Sequence, residues 1–257
     1  MSMKGSNNFN FIKALRMNLS VVSYNQVINY VFETCNRTEA SYICAANVHM
    51  CIETFYSKDI QKYVNSANVV VPDGRPLYWL LRFYGNKNSQ HIRGLDLANG
   101  VIKRAHQRNI SIGFYGSTKE NIKAIVENLN KSYKGINIGY QYSPPFRKLS
   151  KNEETTIQDQ INASGIRILF IGLGCPKQES WMFQNKDKLN CLMIGVGAVF
   201  DFLAGTKSSA PRFMQYLGLE WLFRFIHEPK RLFLRYFSYN PKFIFLIILQ
   251  IFGKKYE

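Results

Sequence analysis

The chain has 257 residues, 46% of them hydrophobic, which suffices for one sizeable core or one core with an appendage. A formal charge of +16 and a pI near 9.7 point to anionic partners such as nucleic acid, nucleotides, sugar diphosphates or anionic lipid heads, and say nothing about fold. The cysteines Cys35, Cys44, Cys51, Cys175 and Cys191 form no Cys-x-x-Cys pair, which reads as reduced thiols in a cytosolic protein, and the opening MSMKGSNNFNF has no apolar run of the kind a secretory leader needs.

In chain order, MNLSVVS (17–23) reads as a strand. Ser23 to Gln26 then has capping-box form and opens a helix to about Asn36. YICAANV (42–48) and ANVVV (67–71) are the next strand-like runs. Helices follow from about Pro76 to Tyr84 and from Leu95 to Gln107. ISIGFYGS (110–117) is a strand ending in glycine, with Ser117 to Glu120 capping the helix after it. GINIGYQYSPPF (135–146) is a strand entering a double-proline loop, and Ser150 to Glu153 caps another helix. IRILFIGLG (166–174) and CLMIGVGAVFDF (191–202) complete the series. Strands alternating with helices at this spacing imply an α/β fold, a mostly parallel, Rossmann-like sheet flanked by helices.

The character changes near Ala210, so residues 1–209 are expected to form an α/β catalytic core and 210–257 a helical appendage. The appendage is rich in aromatics and carries Arg212, Arg224, Lys230, Arg231, Arg235, Lys242, Lys254 and Lys255 against Glu220, Glu228 and Glu257. Its run FIFLIILQIF (243–252) is about half the roughly 20 residues a spanning helix requires. It suits an interfacial, membrane-associating segment or a helical hairpin packed on the sheet, and composition alone does not separate the two.

In parallel α/β sheets ligands bind beyond the carboxyl ends of the strands. Four loops fall there: PDG with Asp73, GFYGS with Gly116 and Ser117, GLGCPKQE with Gly172, Gly174, Lys177 and Gln178, and GVGAVFD with Asp201. Glycine lets backbone N–H groups approach a phosphate, and a helix N-terminus favours the anion. Asp73 either shapes a turn or faces a substrate; Asp201 reads better as a cap or core-edge partner. Neither a Walker loop nor Gly-x-Gly-x-x-Gly is present. The histidines are scattered and no Asp-x-Asp occurs, so no metal is expected. If a sugar diphosphate is cleaved, cationic side chains must then stabilise the departing charge, and the C-terminal arginines supply them.

The order PDG, RGLDL (93–97), GFYGS, YSPPF (142–146), GLGCPKQE, GAVFDFLAG (197–205) and APRFMQYLGLEWLFRFIHEPKRL (210–232) resembles the WecG/TagA/CpsF glycosyltransferase family over about residues 40 to 237. The resemblance implies a cytoplasmic enzyme, peripheral on the inner face of the plasma membrane, that serves cell-wall or exopolysaccharide synthesis. It would move an N-acetylmannosamine- or glucose-type sugar from a UDP-sugar to a polyprenyl-diphosphate-linked saccharide, with inversion, without metal and without other cofactor. Residue by residue, Asp73 matches the family's general base, and Arg224 and Arg231 match arginines that fold over the diphosphate. Arg235 matches a third such arginine; Gln178 matches a glutamine near the donor pocket, and Asn47 a substrate-site asparagine on the strand before that of Asp73. Ala45 stands where the family often has threonine, so a hydroxyl contact is missing. The competing readings are a non-enzymatic nucleic-acid or anion binder and a nucleotide-dependent oxidoreductase. Aromatic–basic interleaving confined to the tail and mixed with aliphatics suits lipid better than nucleic acid. Self-association is left open.

Overall fold

The computed structural model describes residues 9–35, 41–216 and 218–256; of Arg212, Tyr216, Arg231, Leu234 and Arg235 it describes the backbone alone. The described residues begin with a hairpin of β1 (Phe11–Ala14) and β2 (Met17–Ser20), paired antiparallel apart from the main sheet. The MNLSVVS run therefore contributes a hairpin arm. Then come α1 (Tyr24–Thr34), β3 (Ser41–Ala46), α2 (Val48–Tyr56), α3 (Lys58–Asn65), β4 (Val69–Pro72), α4 (Arg75–Phe83) and α5 (Gly94–Gln107). The second half of the unit holds β5 (Ile112–Gly116), α6 (Lys119–Ser132), β6 (Ile138–Tyr142), α7 (Lys151–Ala163), β7 (Ile168–Gly172), α8 (Lys177–Asn185), β8 (Leu192–Gly195) and α9 (Val199–Leu203).

The six-stranded sheet runs β4-β3-β8-β7-β5-β6 with every pairing parallel. Its strands read as near-continuous apolar runs because both faces are covered. The period of two divides each strand between two cores. Tyr42, Cys44 and Ala46 of β3, with Leu169 and Ile171 of β7, pack in one core beside residues of α2, α4 and α8. Ile43 and Ala45, with Ile168 and Phe170, pack in the other beside residues of α1, α5 and α6. The layers are thus helix, sheet, helix.

Local chemistry sets the helix starts. Ser23 with Gln26 and Ser150 with Glu153 each form a full capping box. At α6 the cap is Thr118, which accepts from Asn121 N, and not Ser117. The reason is the turn leaving β5: Gly116 lies at φ +127° and Ser117 at φ +58°, so Thr118 is the first residue in the extended conformation that a cap needs. Gly116 packs so tightly on β7 that an added Cβ would sit 2.6 Å from the Gly172 carbonyl.

Beyond Ala210 the chain folds into short helices: α10 (Arg212–Tyr216), α11 (Glu220–His227), α12 (Pro229–Leu234), a π-helical turn (Arg235–Tyr239) and α13 (Asn240–Ile251). The helix breaks before Pro229, since α11 ends at His227 and Pro229 starts α12, so Arg224 and Arg231 stand on separate helices. Phe243 and Ile247 of α13 join the core over α2. The side chain of Gln250 bonds the hairpin on both sides, accepting from Leu15 N and donating to Lys13 O, each at 2.8 Å. No helix among the described residues is long and apolar enough to cross a membrane.

Replacing Gly116 by alanine should cost at least about 2 kcal/mol, from backbone strain together with overpacking. Gly165 also has a positive φ, +65°, but has nothing within 4 Å of an added Cβ, so its alanine variant should lose about 1 kcal/mol. Urea midpoints of the two variants compare packing against strain.

Candidate functional site

Two cavities, of about 250 and 290 Å³, lie beyond the carboxyl ends of the adjacent strands β4, β3, β8 and β7. They share one wall, formed by Asn47, His49, Asp73, Glu220 and Arg224. The first is largely aromatic and apolar, with Trp79 of α4 facing Trp221, Leu232 and Tyr236. The second is lined by the glycine-ended loops Gly172–Gly174 and Val196–Gly197, with Ser117, Arg93 and Gln178.

Asp73 is held from both sides. Its N–H and that of Gly74 both donate to Ala46 O, at 2.9 and 3.0 Å, which clamps the PDG turn to the end of β3. Its Oδ1 accepts the Gly94 N–H at 2.5 Å, at the first turn of α5, where the helix dipole favours a negative charge. Oδ2 makes no hydrogen bond among the described residues. Burial pushes the Asp73 pKa above its ordinary value; the Gly94 N–H, His91 and Arg224 oppose that shift, and Glu220 adds to it. His91 Nε2 donates to Asp73 O at 2.6 Å, and burial lowers the His91 pKa, which favours the neutral imidazole.

Asn47 is the N-cap of α2, its Oδ1 accepting from Met50 N at 3.1 Å, and it lines both cavities. Gln178 sits on the first turn of α8, 3% exposed. Its Nε2 donates to Glu179 Oε1 at 2.7 Å, which leaves Oε1 unpartnered and turned toward Gly197. Arg224 of α11 reaches the shared wall and lies over the Phe202 ring at 5.8 Å. Asp201 is occupied by Asn121, 3.0 Å away, and by Lys207, which also pairs with Glu228 at 2.9 Å. Ser117 lines the second cavity with its N–H bonded to Gly172 O, whereas Gly116 lies beneath, between β5 and β7.

Lys177 is exposed and lines neither cavity. Its place on the outer side of the first turn of α8 directs it to water, while Gln178 and Glu179 turn inward. The side chains of Arg231 and Arg235 lie outside the described residues. Among the described residues no three His, Cys, Asp or Glu gather in a cluster that could hold a metal ion.

Sequence reasoning left Arg75 between a contact to substrate phosphates and a role in the turn, and it missed Arg93, His49 and Glu179. Arg93 pairs with Glu220 (Nε–Oε2 3.0 Å) and donates to Gln215 Oε1 at 2.6 Å, so it ties the C-terminal helices to the cleft; Arg75 adds a bond to Gln215 O at 2.5 Å. His49, on the shared wall, stands 3.3 Å from Glu53, which also accepts from Tyr239 of the π-helical turn at 2.8 Å. Nothing local signals pairings across 127 and 186 residues. Glu179 is fully buried beneath Gln178; its signal was a carboxylate in the first turn of a helix that follows a glycine-ended strand.

Burial raises the Glu179 pKa from 4.5 to about 6, against hydrogen bonds from Gln178 and Cys175 that lower it. The folded state therefore binds its proton more tightly than the unfolded chain. Its contribution to stability is greatest below pH 4.5 and falls by about 2 kcal/mol as pH rises through about 6. The Glu179→Gln variant keeps the acceptor for Gln178 and should melt a few degrees higher than the parent at pH 8, with little difference at pH 4.5, as calorimetry at the two pH values would show.

A family model described as the glycosyl transferase WecG/TagA/CpsF family matches residues 12–257. Among curated proteins, the N-acetylglucosaminyldiphosphoundecaprenol N-acetyl-beta-D-mannosaminyltransferase of Bacillus spizizenii strain W23 is 26% identical over 197 residues, 76% of this chain and 75% of the relative. Proteins of the same name from Bacillus subtilis strain 168 and Staphylococcus aureus strain MW2 are 27% and 24% identical over 74% and 76% of the chain, and over 72% and 75% of their own lengths. With a parallel α/β sheet, a carboxylate at the junction of two cavities and a family match over nearly its whole length, this chain belongs to the WecG/TagA/CpsF family of glycosyltransferases.

Proposed function

We propose that the protein transfers N-acetylmannosamine from a UDP-sugar to a polyprenyl-diphosphate-linked N-acetylglucosamine, with inversion and without a metal ion, at the cytoplasmic face of the plasma membrane. The names of the relatives support the transferred sugar and the lipid-linked acceptor. The observation that carries the reading is the position of Asp73 on the wall common to a polar and an aromatic cavity. A nucleotide sugar fits the polar side, where glycine-ended loops and the N-terminus of α8 suit a diphosphate. The acceptor sugar fits the aromatic side, so the two reacting atoms meet at Asp73.

In this reading Oδ2 of Asp73 removes the proton from the acceptor hydroxyl as that oxygen attacks the anomeric carbon. The bond from that carbon to the diphosphate breaks, and the charge passes to UDP. Burial raises the basicity of the carboxylate, which suits a general base, and Oδ1 is kept in place by the Gly94 N–H. Arg224 stabilises the departing diphosphate. Arg231 and Arg235 are assigned the same role on the family pattern, and residues 210–257 are treated as an appendage that completes the site. Gln178 offers Oε1 as an acceptor to a ligand N–H.

The reading is tested by mass spectrometry of a UDP-sugar panel with a short polyprenyl-diphosphate N-acetylglucosamine acceptor; transfer of a sugar other than N-acetylmannosamine would overturn the donor assignment. Asp73→Asn should lower kcat by about 10²–10⁴-fold while calorimetry still shows UDP binding. Because the ionised form of Asp73 acts and its pKa is raised, kcat/KM should rise with pH through a limb above the ordinary carboxylate range, and Asp73→Asn should remove that limb. Arg224→Ala should reduce kcat more than it weakens donor affinity, a split that steady-state kinetics with UDP titration resolves.

A further inference from the structure

Two helices distant in the sequence each expose large apolar side chains and meet at their ends. On α4, Trp79 and Phe83 stand four residues apart on one face and are 54% and 64% exposed. On α13, Phe243 and Ile247 are buried against the core, while Ile244, Phe245, Ile248 and Phe252 face outward. That helix is therefore apolar around its whole girth, which a water-facing helix on a folded unit is not. The helices meet where Gln250 of α13 donates to the hydroxyl of Tyr84, at the end of α4, at 3.1 Å.

The charge of this surface has one sign. Arg82 and Lys87 flank the α4 patch, and Lys242, Lys254 and Lys255 flank α13. Residues 74–90 and 240–256 contain neither Asp nor Glu. Exposed aromatic and aliphatic side chains rimmed by cations alone complement an anionic bilayer surface, into which the rings sink while the cations stay among the headgroups. A polyanion that keeps its water would leave the apolar side chains unburied. The patch also borders the cleft: Trp79 belongs to the aromatic cavity, and Gly218 packs against its indole, an added Cβ there lying 3.6 Å from the ring.

We infer that α4 of the α/β unit, and not the C-terminal segment alone, is a membrane contact: α4 and α13 together rest on an anionic bilayer and bring the rim of the aromatic cavity to the lipid surface. The inference rests on the lipid-linked acceptor proposed above. It gives that substrate a path into the cleft that never exposes its hydrocarbon chain to water.

The full chain is titrated with phosphatidylcholine vesicles with and without phosphatidylglycerol. Phe83 lines neither cavity, so Phe83→Glu should weaken binding to the anionic vesicles by about tenfold or more, as Phe245→Glu does on α13. Turnover of a water-soluble short-chain acceptor and the melting temperature should not change. In a second measurement, Phe83→Trp should add emission that brominated phospholipid quenches, which decides the matter should Phe83→Glu disturb folding. If Phe83→Glu binds as the parent does and the Phe83→Trp emission is not quenched, while Phe245→Glu loses binding, α4 is not a contact and the inference is overturned. If the parent binds neither vesicle, the inference falls with the membrane reading, and turnover of the soluble acceptor shows separately whether glycosyl transfer stands.

Discussion

The site depends on how one carboxylate is held. Asp73 leaves β4 on a turn whose two N–H groups bond the last carbonyl of β3, and one of its oxygens takes the first N–H of α5. Three elements thus determine its position, and the second oxygen makes no hydrogen bond among the described residues. The surroundings oppose each other in sign. Burial and Glu220 disfavour the ionised form, while the helix terminus, His91 and Arg224 favour it. A carboxylate in such a balance is more basic than one in water and still able to ionise, which is the property proton abstraction needs.

The remainder of the cleft comes from the far end of the chain. Glu220 would be costly beside Asp73 if it were alone, and Arg93 compensates it by a close ion pair with a second bond to Gln215. Arg75 binds the Gln215 carbonyl and Tyr239 reaches Glu53, so α10, α11 and the π-helical turn are each tied to the α/β unit by polar contacts at the cleft. Apolar contacts do the same at a distance, through Phe243 and Ile247 over α2. The cleft is therefore complete only with the C-terminal helices docked on the α/β unit.

Much of the fold was legible. Alternating apolar runs and capping sequences located the strands of the parallel sheet and the helices that begin at Ser23 and Ser150, because a strand buried on both faces must be apolar throughout and a helix start must satisfy its free N–H groups locally. The short helices α2 and α3 passed unnoticed, since eight or nine residues carry too little periodicity to stand out. The cap of α6 shifted by one residue, because the conformation of Ser117 follows from the contact between Gly116 and Gly172 and not from its own side chain. Lys177 looked like a phosphate ligand by composition, but the rotation of α8 turns it outward.

By itself the sequence determined the parallel α/β class, the loops at strand ends and the family pattern, all of which rest on local propensity or on the order of short motifs. Only the tertiary structure decided which residues share a wall. Asp73 lies more than 140 residues from Glu220 and Arg224, and their meeting depends on which strands pair and on long-range ion pairs. It also decided that Glu179 is buried, that the side-chain oxygen of Gln178 has no hydrogen-bond partner and that α13 meets the end of α4 through Gln250 and Tyr84. Sequence patterning reports how a segment sorts between water and core, whereas a site is a set of distances between segments. Those distances exist only once the chain has packed.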